Sequence, residues 1–173
     1  MRIILTGPKG SGKSTVGRLL GQKMNLDVVE TDDLIEEIFE QEYGQAATCR
    51  EICRQYGEPL FRELEMRAAK AALNHGAAII CTGGQTLVAE QSRQALTAAG
   101  TVVFLKVGFD KIWERVTATG TPAYFPKNNQ KEWFRGRVDL FNDMVGPIAD
   151  ITVDVTELSP AAAAEKVMER LQV

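Results

Sequence analysis

The chain has 173 residues, 45% apolar and 25% charged, a make-up that suits one globular domain with a sizeable core. Twenty basic against 23 acidic residues leave a net charge of −3, which argues against a nucleic-acid binder built on a broad basic surface. His75 is the only histidine, which argues against zinc catalysis and a Ser-His-Asp triad, and no apolar run is long enough to cross a membrane.

Residues 2–6 form a short apolar run, long enough for one buried strand. It starts the chain with no basic leader before it, so a cytoplasmic protein is expected. Next comes Gly7-Pro8-Lys9-Gly10-Ser11-Gly12-Lys13-Ser14-Thr15, which fits the phosphate-loop pattern G-x-x-x-x-G-K-[ST]. Gly7, Gly10 and Gly12 permit backbone shapes that side chains forbid and let a phosphate come close. The N–H groups of the loop, with the helix N-terminus behind it, make an anion site. Gly7, Gly10, Ser11, Gly12, Lys13, Ser14 and Thr15 are therefore the expected phosphate-binding set. Lys13 would reach the β- and γ-phosphates and the Ser14 hydroxyl would ligate Mg²⁺.

Helical spacing of Val16, Leu19, Leu20 and Met24 follows. Residues 26–30 read as a second strand. Asp32 and Asp33 come next, then a helical stripe of Leu34, Ile35, Ile38 and Phe39 that Gly44 ends. Thr48 can cap a short helix that carries Ile52 and stops near Gly57. Cys49 and Cys53 lie four apart on it. With Cys81 they make an odd number of cysteines, so free thiols are expected. Gly57-Glu58-Pro59 opens a longer helix with Phe61, Leu64, Ala68 and Ala72 on one face.

Residues 77–81 are a third strand, stopped by Thr82-Gly83-Gly84, and a helix is expected over 87–99. A fourth strand spans 101–107. A helix over 109–117 turns Ile112, Trp113 and Val116 inward. Residues 120–130 lack a period and read as a loop; 132–144 are helical again. Trp113 and Trp133 read as packing residues. Residues 151–155 are a fifth strand, and Ser159-Pro160 caps a last helix.

Strands that alternate with helices imply an α/β fold with a parallel sheet. Ligands of such folds bind at the carboxyl ends of the strands. That rule brings residues 7–14, 30–33 and 82–85 to one rim, where they would form a two-substrate cleft.

Several segments, taken in order, resemble shikimate kinase, a family of nucleoside-monophosphate-kinase-like P-loop enzymes. They are the loop with Val16-Gly17-Arg18, Asp32-Asp33-Leu34-Ile35-Glu36, Gly57-Glu58-Pro59-Leu60-Phe61-Arg62-Glu63-Leu64-Glu65, and Thr82-Gly83-Gly84. The resemblance implies a three-layer P-loop kinase fold over 1–173, with a five-stranded parallel sheet in the order 2-3-1-4-5. It also implies an acceptor-binding segment at about 32–62 and a lid at about 119–131. The implied activity is ATP-dependent phosphorylation of shikimate to shikimate 3-phosphate with Mg²⁺, by a monomer that needs neither nucleic acid nor membrane.

By the same resemblance, Asp32 orients the attacking hydroxyl, so Lys13 and Asp32 are the catalytic pair. Arg62 and Arg137 hold the acceptor carboxylate, Gly83 and Gly84 bring backbone N–H groups to the acceptor, and Arg115 lies beside the adenine. Three positions depart from the family pattern. Glu30 stands for an aspartate that shares the metal site with Ser14. Gln85 replaces the third glycine of a Gly-Gly-Gly turn and would touch the acceptor. Thr121 stands where the lid carries an arginine, with Lys127, Lys131 or Arg135 as possible substitutes. Gln85 and Thr121 keep two other readings open: a related kinase acting on gluconate or a nucleotide, and a nucleotide-binding protein with weakened catalysis. Each site residue also has a plainer role: Arg62 can pair with Glu58 or Glu65, and Asp32 and Asp33 can be helix-start charges.

Overall fold

Five short strands pair side by side, all parallel: β1 (Ile3–Thr6), β2 (Val28–Glu30), β3 (Ile79–Cys81), β4 (Thr101–Lys106) and β5 (Ile151–Asp154). Their order is β2-β3-β1-β4-β5, as the resemblance implied. This computed structural model describes residues 1–76, 78–118 and 125–173. Thr121 and much of the expected lid lie outside the described residues.

Eight helices among the described residues flank the sheet: α1 (Lys13–Met24), α2 (Thr31–Tyr43), α3 (Cys49–Tyr56), α4 (Glu58–Asn74), α5 (Glu90–Thr97), α6 (Phe109–Thr117), α7 (Gln130–Val145) and α8 (Pro160–Leu171). Ile3 and Leu5 point to one face of the sheet, where Val16 and Leu20 of α1 and Val167 of α8 cover them. Ile4 points to the other face, against Ile35 and Phe39 of α2 and Leu64 and Ala68 of α4. Helices on both faces explain why β1, β3 and most of β4 read as continuous apolar runs, whereas the edge strand β5 alternates, with Thr152 and Asp154 exposed beside buried Val153. Gly17 lets α1 lie close on the sheet, because a Cβ there would collide with Cys81 Sγ. That contact fixes the start of α1, and so the phosphate loop, against the strand ends.

Sequence signals placed most helix ends correctly. Thr48 and Glu51 form a reciprocal capping box at α3, and Ser159 Oγ accepts from Ala162 N at 3.2 Å at α8. Gly44 ends α2 in the left-handed region at φ 70°. The helix expected over 87–99 starts later, at Glu90. Residues before it are spent in tight turns, with Thr86 N donating to Gly83 O at 3.4 Å and Val88 N to Gln85 O at 2.9 Å. The fully buried Leu87 anchors those turns to the core, which accounts for the apolar signal there without a helix. A 3-10 turn at Gly146–Ile148 ends α7.

Candidate active site

The loop between β1 and α1 closes over the carboxyl end of the sheet. Gly10 and Gly12 take φ of 87° and 92°, the left-handed region that side chains rarely adopt. Gly12 caps α1, so the N–H groups of Lys13, Ser14 and Thr15 have no helical acceptor and remain available to an anion. Lys13 is buried and folds back, donating to Gly7 O at 2.8 Å and Pro8 O at 3.2 Å. Burial lowers its pKa to about 8, against the pull of the Asp32 carboxylate. Ser11 lies beneath the loop: its N–H donates to Pro8 O at 3.1 Å, and its buried hydroxyl turns toward Gly7. Arg115, from α6, donates to Gly10 O at 3.2 Å and so braces the loop from outside the cleft.

β2 runs straight into α2, which places Glu30, Thr31 and Asp32 within one turn of the strand end. Ser14 Oγ donates to Glu30 Oε2 at 3.1 Å, and Glu30 Oε1 is buried without a hydrogen-bond partner among the described residues. Burial first, then the neighbouring Asp33 charge, raises the Glu30 pKa, opposed mainly by the Ser14 hydroxyl. A hydroxyl beside a carboxylate with a spare oxygen is a donor set that suits Mg²⁺, which takes one or two protein oxygens and fills its shell with water and phosphate. No cluster of three or more His, Cys, Asp or Glu side chains fit for a metal occurs among the described residues.

Asp32 opens to the cleft but is walled by protein, and desolvation raises its pKa while Lys13 and then Lys9 lower it. Gly83 faces it. A Cβ at Gly83 would come 2.7 Å from Asp32 Oδ1, 2.9 Å from Thr86 Oγ1 and 3.3 Å from Glu65 Oε1, so any side chain there would displace these three groups. Three strand ends are tied together by hydroxyls: Gly83 N donates to Thr31 Oγ1 at 2.8 Å, and Thr82 Oγ1 donates to Thr6 Oγ1 at 3.0 Å. The convergence of three segments expected from the sequence is thus built by specific bonds.

Arg62, on α4, holds Glu58 at 2.9 Å and Glu65 at 2.7 Å. Glu65 is almost fully buried and also accepts from Thr86 Oγ1 at 2.9 Å. The pairing with both glutamates and a place on the cleft wall therefore coexist at Arg62. Arg137, from α7, lies 5.0 Å over the Trp133 ring. Trp133 does more than pack: it lines the cleft and supports that guanidinium. Gln85 and Gly84 line the same wall. Lys131 and Arg135 do not line the cleft: Lys131 pairs with Asp110 at 3.3 Å, and Arg135 lies 3.9 Å over the Phe109 ring.

These parts enclose one cleft of about 560 Å³, within the usual range for small-molecule sites. Lys13, Ser14, Asp32, Arg62, Gln85 and Arg137 all line it. The Arg62–Glu65 pairing left open by helical spacing is present, while sequence reading missed Thr86, which holds the other oxygen of Glu65. It also missed Cys49 and Cys53, whose i, i+4 spacing on α3 turns both into the cleft wall. Cys49 Sγ donates to Asp32 O at 3.4 Å, and burial pushes its thiol pKa up, so it stays protonated. No helix among the described residues is long and apolar enough to cross a membrane.

Comparison with known proteins gives the same picture. The family model for shikimate kinase matches residues 9–172. A shikimate kinase of Pseudomonas paraeruginosa is 31% identical over 172 residues, covering 99% of this chain and 96% of that protein. The crystal structure of shikimate kinase from Aquifex aeolicus superposes with a TM-score of 0.75 at 28% identity, covering 99% of this chain and 96% of that one. Shikimate kinase from Acinetobacter baumannii, in complex with shikimate, shares the fold with a TM-score of 0.87 at 24% identity, covering 99% of this chain and 92% of that one. On its sequence, its sheet order and its phosphate loop, the chain belongs to the shikimate kinase family.

Proposed function

We propose that the chain transfers the γ-phosphoryl group of ATP to the 3-hydroxyl of shikimate, giving shikimate 3-phosphate and ADP. The observation that carries this reading is the placement of Asp32. Its carboxylate lies in one cleft between the Lys13 ammonium and the Gly83 turn, with Arg62 on the same wall.

ATP lays its phosphates on the N–H groups of residues 10–15 in this account. Lys13 leaves the carbonyls of Gly7 and Pro8 for the β- and γ-phosphates, which restore the partner charge that burial removed. Ser14 and Glu30 would hold Mg²⁺, which would supply charge neutralisation to the phosphates. The acceptor carboxylate replaces Glu58 on Arg62, because Glu58 is the exposed partner at 62% of its side chain while Glu65 stays at 4%. Glu65 then keeps the guanidinium fork aimed, and Arg137 takes the other side of the carboxylate. Asp32 orients the ring hydroxyl and takes its proton. As the hydroxyl oxygen bonds to the γ-phosphorus, the bond from that phosphorus to the β-γ bridging oxygen breaks and ADP leaves. Gln85 adds a side-chain amide to the acceptor wall. The chain acts as a cytoplasmic monomer, with ATP, ADP and the hydroxy acid as its partners.

A coupled assay of ADP release over shikimate, gluconate and nucleoside monophosphates tests the acceptor. Release that depends on shikimate alone is expected. Release with another acceptor and none with shikimate would overturn the reading, as would ATP binding with no acceptor-dependent turnover.

Arg62 gives a second test. Arg62→Ala should raise the acceptor KM while leaving kcat little changed, since the carboxylate is held in ground and transition states alike. It should also lower stability by about 1–3 kcal/mol, because Glu65 is left buried with only Thr86 to satisfy it. Adding Glu65→Gln should recover stability in thermal melts but not the KM. An unchanged KM in Arg62→Ala would make the residue structural.

A further inference from the structure

The phosphoryl group in flight carries charge on three equatorial oxygens and needs cations on the acceptor side as well as the nucleotide side. Most cations around the cleft are engaged elsewhere. Arg62 is held by Glu58 and Glu65, Arg137 lies on Trp133, and Arg115 braces the loop at Gly10 O. Lys131 and Arg135 are drawn to Asp110 and Phe109. Arg50 is also exposed on the cleft without a side-chain partner among the described residues, but it enters from α3, not from the phosphate loop.

Lys9 is placed differently. It is exposed, lines the cleft, and has no side-chain hydrogen bond or ion pair among the described residues. Its backbone packs on the acceptor turn: a Cβ on Gly84 would come 3.1 Å from Lys9 N and 3.4 Å from Lys9 Cβ. Lys9 therefore stands at the seam where the phosphate loop meets the wall of the acceptor site. Its charge is felt on both sides of that seam, at Asp32 and at Lys13. The loop pattern leaves this position open to any residue, so nothing in the motif requires a lysine there.

We propose that Lys9 supplies a second ammonium, beside Lys13, to the phosphoryl group as it passes from ATP to the acceptor. The flexible stem and three donors of lysine suit a group that must follow a moving phosphorus. The assignment rests on the phosphotransfer reading above but not on which acceptor is used.

Lys9→Met and Lys9→Arg test it by steady-state kinetics and by titration with ADP, Mg²⁺ and fluoroaluminate, which mimics the planar phosphoryl group. In Lys9→Met, kcat should fall about 10²-fold, as when one preorganised donor is removed, with both KM values little changed. Lys9→Arg should recover most of the rate. Fluoroaluminate-dependent binding should weaken in Lys9→Met while binding of ADP alone stays the same. A kcat within twofold of the unmodified chain would overturn the proposal, and so would an equal loss of ADP binding, which would mark Lys9 as a structural part of the loop. If the unmodified chain released no ADP with shikimate, the acceptor assignment would fall; the fluoroaluminate titration needs no acceptor and would still decide the role of Lys9.

Discussion

Replacing Lys13 by methionine should abolish turnover and, in the ligand-free protein, raise stability. The first effect follows from the phosphate charge that Lys13 would meet; losing such a cation costs about 10³-fold or more in rate. The second follows from its burial. Lys13 titrates at about 8 in the fold against 10.5 for the unhindered side chain. Below pH 8 both folded and unfolded chains hold the proton, and the full cost of the buried ammonium is present. Between about 8 and 10.5 the unfolded chain holds more protons, so stability rises with pH across that window. The shift corresponds to about 3 kcal/mol at neutral pH, an upper bound on what Lys13→Met recovers. Thermal melts and ADP release on the same samples check both arms. ATP affinity should fall by up to tenfold per pH unit above about 8, because the bound form must take up the missing proton, and Lys13→Met should flatten that slope. Intact activity in the variant would defeat the phosphate-loop assignment.

Asp32→Asn should lower kcat by about 10²–10⁴-fold, the usual contribution of a positioned general base. Asparagine keeps the shape but cannot take the proton. Burial raises the Asp32 pKa in the free protein, with Lys13 the main opposing charge, so the acid limb of the kcat/KM profile should lie above the ordinary carboxylate value of 3.8. Activity is lost as pH falls through that raised value, and the limb should vanish in Asp32→Asn. A loss of less than about threefold would reduce Asp32 to a helix-start charge of the kind that stabilises a dipole.

The phosphate loop was legible in the sequence because its chemistry depends on backbone shape at fixed spacing, and glycines announce that shape. Strands β1, β3 and β4 were legible because both faces of the sheet are buried there, which leaves uninterrupted apolar runs. The start of α5 was not. Leu87 and Val88 carry an apolar signal, but the backbone there is committed to turns that follow the cleft-lining Gly84 and Gln85. Arg62 and its partners Glu58 and Glu65 could be named from motif and helical spacing, yet the burial of Glu65 and its bond to Thr86 from a distant turn had to be seen in space. Cations were the hardest to place. Lys131 and Arg135 looked available to the transferring phosphate, but the fold gives them to Asp110 and Phe109 on α6, a contact that no local pattern encodes. Lys9 was hidden for the opposite reason: it occupies a position that the loop motif treats as unspecified.

The account stands on one cleft holding both substrates across Asp32. The direct measurement is a crystal structure of the chain with ADP, Mg²⁺ and shikimate bound. It should show the β-phosphate on the N–H groups of residues 10–15 with Lys13 against it, the metal at Ser14 and Glu30, a ring hydroxyl on Asp32, and the carboxylate between Arg62 and Arg137. Shikimate bound away from Asp32 and Arg62, or excluded by Gln85 at saturating concentration, would contradict it.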